Sequence, residues 1–129
     1  MNTFILFAAG LAFLVGLAHS VFGEIMIFKR MRSGGIVPIN GGKVIGEGHV
    51  RILWASWHVL TVFGWLVSSF LVWLAQPAAR GVAPAWLLGA IAIAMLAGAL
   101  FVLVGTKGRH PGWLGLLGVA VLTWLGQYA

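Results

Sequence analysis

The sequence has no cysteine, one tyrosine and only two acidic residues. Without cysteine there is no disulfide, no thiolate metal site and no cysteine nucleophile. Eight lysines and arginines against those two acids give a formal charge of +6, yet charged residues make up only 8% of the chain. Soluble domains carry roughly a quarter, so this chain cannot clothe a globular surface with charge. A basic balance can mark a nucleic-acid binder, but neutralising phosphates needs a soluble cationic face, and none is present. The run Gly41-Gly42-Lys43-Val44 lacks the spacing and the Ser/Thr of a phosphate-cradling loop, which excludes nucleotide binding there.

What the chain has instead is hydrocarbon. It is 61% hydrophobic over 129 residues, with a mean hydropathy of +1.05. A membrane span needs about 20 apolar residues. Apolar runs occupy about residues 4–28, 52–75, 84–104 and 111–128. The expected fold is therefore all-α: one integral-membrane domain, 1–129, built as a four-helix bundle. The first run has no basic residue before it and three cations directly after it, Lys29, Arg30 and Arg32. That is the reverse of a cleavable signal peptide and reads as a first span. Proline closes the second run at Pro77 and opens the third and fourth at Pro84 and Pro111, as its missing N–H and fixed φ favour. The fourth run is near the lower limit for a span.

Orientation follows from charge. Lys29, Arg30, Arg32, Lys43, Arg51, Lys107 and Arg109 fall in or beside the first and third connections, and only Arg80 falls in the second. The positive-inside rule puts the first group in the cytoplasm and both termini outside, as a multi-pass protein of the cytoplasmic (inner) membrane. Trp73, Trp86, Trp124 and Tyr128 are expected as an outer aromatic belt, and Trp54, Trp57 and Trp113 as an inner one. The connection from Lys29 to Val50 is rich in glycine and carries Ile36, Val37, Ile39, Val44 and Ile45. It is expected to lie on the membrane or fold back. Between helices in lipid, small residues permit close approach. Ala9, Ala12, Gly16, Ser20 and Gly23 form such a stripe on the first run, Ala90, Ala94 and Gly98 on the third, and Gly115, Gly118 and Gly126 on the fourth.

The residues able to carry chemistry gather at one side. Both acids, Glu24 and Glu47, and all four histidines, His19, His49, His58 and His110, fall in the cytoplasmic half of this arrangement. Glu24 is expected about one turn inside the interface, and His19 and His58 roughly 10–13 Å deep by the helical rise. Because the first two spans run antiparallel, the two histidines arrive at matched depth. If the second helix begins early enough, Glu47, Arg51, Trp54, His58, Thr61 and Trp65 share one of its faces. Ionisable groups rarely face lipid, so that face should point inward.

Three functional readings follow. His19 and His58, with Glu24, could be metal ligands, or the two histidines could hold a haem iron axially, with the glycines near His19 giving room for the porphyrin. His19, Glu24 and His58 could instead act as catalytic acid–base groups on a lipid-soluble substrate. Or Glu24 could load and release protons in a transporter, working as a homodimer because four helices rarely enclose a pathway. Against these stands a plain alternative, in which Ser20, Ser56 and Thr61 satisfy the histidines and Arg51 pairs with Glu24. The chain would then be an accessory subunit of a larger membrane complex. The third connection, with Lys107, Arg109 and His110 before a helix amino end, is expected to meet the bilayer's anionic headgroups.

Overall fold

The computed structural model describes residues 1–79, 81–84 and 86–129; Arg80, expected as the lone outer cation, lies outside the described residues. Four α-helices follow in order: α1 (Thr3–Met26), α2 (Glu47–Leu74), α3 (Trp86–Gly105) and α4 (Gly112–Gly126). No β-strand occurs among the described residues. The first three helices are long and apolar enough to cross a membrane. The fourth, 15 residues long, is shorter than the expected run and rises only about 22 Å against a hydrocarbon core of about 30 Å.

Two further boundaries differ from expectation. α2 begins at Glu47 rather than near Ile52, taking the polar segment Glu47–Arg51 into the helix. An acid in the first turn suits the positive end of the helix dipole, and Arg51 ion-pairs with Glu47 one turn away, at 2.7 Å. α1 stops at Met26, and a short 3-10 turn, Phe28–Met31, follows it.

The chain forms two compact units, residues 1–15 with 64–129, and residues 16–63. In the first, Ile5, Ala8, Ala9 and Ala12 of α1 are buried with Leu71 and Leu74 of α2 and Val119 of α4. Asn2 caps α1, its side-chain oxygen accepting the Ile5 N–H at 3.2 Å while its amide donates to the Gly126 carbonyl at 2.7 Å. That is the usual role of an asparagine before the first helical residue. The glycines of α4 are spacers: a Cβ at Gly118 would come within 2.7 Å of Leu11. Ser68 is buried but satisfied, donating to the Ala9 carbonyl at 2.8 Å.

Of the expected small face of α3, Gly98 packs, against Leu116 of α4, and the two alanines do not. Ala90 and Ala94 are exposed, whereas Ala92 and Ala99 are buried. α3 is apolar all the way round, so its pattern names no inward stripe. α3 and α4 lie antiparallel, with Gly89 near Gln127 and Gly98 near Leu116.

In the second unit the glycine-rich connection folds back on itself. The Met31 carbonyl accepts the N–H groups of Ile39 and Asn40, at 3.0 and 2.9 Å, while Phe28, Pro38 and Val50 are buried. Gly41 makes an isolated bridge with Ile45, and a side chain there would run into the Ile45 backbone and Val50. Ile36 and Val44 remain outward, 81% and 92% exposed.

Candidate functional site

The polar contacts of residues 16–63 meet at Glu24. Its Oε1 accepts the indole N–H of Trp54 at 2.6 Å and Nε2–H of His58 at 3.0 Å. Its Oε2 pairs with the Arg32 guanidinium. A carboxylate can only accept, so His58 must carry its ring proton on Nε2. In the neutral ring that leaves Nδ1 as an acceptor, and it lies 2.6 Å from Ser20 Oγ. Ser20 Oγ is also 3.1 Å from the hydroxyl of buried Thr61. The result is one continuous chain of contacts, Arg32–Glu24–His58–Ser20–Thr61.

Local structure explains the convergence. Ser20 and Glu24 are four residues apart on α1, hence neighbours on one face, and His58 of α2 bridges the two. Trp54 and Thr61 flank His58 at i−4 and i+3, which brings both to the same face of α2. Arg32 returns to Glu24 because the Phe28–Met31 turn reverses the chain, and its Nε–H is fixed on the Ile36 carbonyl at 2.7 Å. Phe28 wedges against the rings of Trp57 and His58, with centroids 5.6 and 6.1 Å away. The site is not sealed: the side chains of Glu24 and His58 are each 27% exposed and Arg32 is 29% exposed.

His19 occupies a neighbouring position. Its imidazole stacks on the Trp57 indole, with centroids 4.3 Å apart and planes at 7°, and its carbonyl accepts the Trp57 N–H at 2.9 Å. Gly23 makes this possible, because any Cβ there would overlap the Trp57 ring. Trp57 thus takes up the room that the sequence offered to a porphyrin at Gly23. Trp54 and Trp57, expected as interfacial anchors, turn their N–H groups onto Glu24 and the His19 carbonyl.

The donor set does not fit a metal. No group of three metal-ligating side chains forms among the described residues, and both ring nitrogens of His58 are engaged by Glu24 and Ser20. An axial bond to haem iron would have to displace one of those contacts. Among the expected residues, the structure brings Glu24 and His58 into direct contact and sets His19 beside Trp57. Arg51 pairs with Glu47 rather than with Glu24, since both lie on the first turns of the same helix.

Lys107, Arg109 and His110 are exposed in the connection before α4. There His110 Nδ1 accepts the Gly112 N–H at 3.0 Å, and the His110 N–H donates to Thr106 Oγ1 at 3.3 Å. The first N–H of α4, expected to be open to an anion, is used by the chain itself. Lys107, with φ of 51°, is the one non-glycine residue at positive φ among the described residues.

Sequence reasoning placed Trp54 on the face of His58 without giving it a role at Glu24, and it gave Arg32 no place in the site. The i, i+4 spacing of Trp54 and His58 was a usable signal for the first. Nothing in the spacing of Arg32 marked the second. Compared with protein-family models, curated proteins and solved structures, the chain finds no match, so its functional reading stands on this geometry.

Proposed function

We propose that this chain is a multi-pass protein of the cytoplasmic membrane, with its basic connections inside and both termini outside, whose Glu24–His58 pair performs acid–base chemistry on a lipid-soluble substrate. One observation carries the reading: Glu24 Oε1 fixes the Nε2–H tautomer of His58 at 3.0 Å and turns Nδ1 toward a hydroxyl. A neutral imidazole oriented by a carboxylate is the usual arrangement of a general base. The exposure of both groups leaves a route for substrate, and the apolar residues around them, Leu17, Val21 and Val62, suit one that arrives from lipid.

The test is reconstitution of the purified protein into liposomes of bacterial total lipid in isotopically labelled water, read by lipid mass spectrometry. Wild-type protein is expected to produce new or isotope-shifted lipid species, and His58→Gln and Glu24→Gln to lose them. Identical lipid profiles for wild type and His58→Gln would defeat the reading.

A second reading, an accessory subunit of a larger membrane complex, draws on a different observation. Ala90 and Ala94 are outward on one face of α3, and a different face of the helix borders an apolar groove of about 200 Å³ lined by Ala92, Ile93, Leu96, Leu117, Ala120 and Val121 among others. Small residues with a groove are what a further helix would use. Co-purification of a stoichiometric partner, lost in Ala94→Phe, would favour it over chemistry.

A further inference from the structure

Acid–base chemistry at Glu24 and His58 leaves one contact unused. Ser20 Oγ lies 2.6 Å from the other ring nitrogen of His58, Nδ1, on the opposite side of the imidazole from Glu24. The order of groups is hydroxyl, base, carboxylate. Such a constellation is recognised by geometry and roles, whatever the fold or sequence order. We propose that Ser20 is a nucleophile, with His58 as its base and Glu24 as the residue that positions the imidazole, and that its substrate is the acyl ester of a membrane lipid. This inference rests on the acid–base reading of the same pair.

Each contact fits a step. With Nε2–H held by Glu24, the lone pair of Nδ1 faces the Ser20 hydroxyl. Ser20 Oγ donates to the hydroxyl of buried Thr61 at 3.1 Å, which holds the serine in place; rotation about its C–O bond brings the same proton onto His58 Nδ1, 2.6 Å away, before attack. In the reaction, Ser20 Oγ forms a bond to the ester carbonyl carbon while its proton passes to Nδ1. The tetrahedral intermediate then breaks the bond to the alcohol oxygen, which leaves with the proton from Nδ1. Water, activated by the same nitrogen, cleaves the acyl-serine, releasing the fatty acid and restoring Ser20.

The substrate class follows from the surroundings. Ser20 is half-buried, one turn from the exposed Leu17, and His58 is one turn from the exposed Val62. An acyl chain can lie along these residues. Lys29 and Arg30, exposed at the same end of the chain segment, suit the anionic headgroup of such a lipid.

The experiment uses the full chain in lipid nanodiscs and a fluorophosphonate bearing a long alkyl tail. Attack by serine oxygen on phosphorus expels fluoride and leaves a stable adduct. The expected result is a single adduct, mapped by peptide mass spectrometry to Ser20. His58→Gln should slow labelling by about 100-fold or more, as loss of a general base does, and Ser20→Ala should abolish it. Glu24→Gln should slow it and Glu24→Asp should restore much of the rate, a recovery that a merely structural carboxylate would not give. Ser56→Ala should label like wild type, because that hydroxyl is bonded to the Ile52 carbonyl of its own helix. Absence of a Ser20 adduct on folded wild-type protein overturns the nucleophile. If lipid turnover in the liposome assay still depends on His58 in that case, the acid–base reading survives alone; if turnover is also absent, both fail.

Discussion

Taking the carboxylate from Glu24 would leave donors of Trp54, His58 and Arg32 without their acceptor. Single hydrogen bonds between membrane helices are worth little, about 0.6 kcal/mol on average, whereas bonds to a charged group run to about 1.5–3 kcal/mol. The partial exposure of the site moves the expectation toward the lower range. A double-mutant cycle of Glu24→Gln with His58→Gln, read by thermal unfolding in mild detergent, should therefore give a coupling of about 1 kcal/mol; additivity of the two would mean the contact does not stabilise the fold. Gly23 offers a sharper contrast. Gly23→Ala drives a methyl into the Trp57 indole and should cost about 1–3 kcal/mol. Gly10→Ala, where the added Cβ meets nothing, should gain about 0.5–1 kcal/mol from helix propensity. Parts of this site were legible in the sequence: the costliness of a carboxylate and an imidazole in an apolar run, and the shared helix faces of Ser20 with Glu24 and of Trp54 with His58. The choice of Arg32 over Arg51 as partner was not, because it depends on a chain reversal after Met26 that no periodicity encodes.

Helix number and the approximate extent of α1 to α3 could be read from the apolar runs, since hydrocarbon length and proline positions are local signals. Faces were less readable. α1 alternates small and large residues, so its buried stripe of Ala8, Ala9 and Ala12 overlaps the spacing argument. α3 has leucine, isoleucine or alanine on every side, and its neighbours alone decide that Ala92 and Ala99 turn inward. Substitution separates the two faces. Ala99→Leu should overpack the interior and destabilise the protein by about 1–3 kcal/mol, while Ala90→Leu, on the exposed side, should fall within about 0.5 kcal/mol of wild type. Thermal unfolding of the two variants in the same detergent checks this, and equal losses would place both residues in packed interior.

Whether α4 crosses is decided by more than its length. Its 15 helical residues fall short of the bilayer core, yet Pro111 before it and Gln127 to Ala129 after it add chain at either end, and a bilayer can thin locally at modest cost. The absence of cysteine makes the question open to clean measurement, because every introduced thiol is the only one. The proposed topology predicts that Ala129→Cys reacts with a membrane-impermeant maleimide in intact spheroplasts, while Ser33→Cys and Thr106→Cys react only after permeabilisation. In that topology the cations Lys29, Arg30, Arg32, Lys107 and Arg109 would hold the last two inside, since each Lys or Arg near the surface contributes about 1 kcal/mol of attraction to an anionic inner leaflet. A chain with only three crossings would instead show Ala129→Cys protected together with Ser33→Cys. The carboxyl end would then lie in the cytoplasm, and the positive charge of the third connection would still mark the inner end of α3.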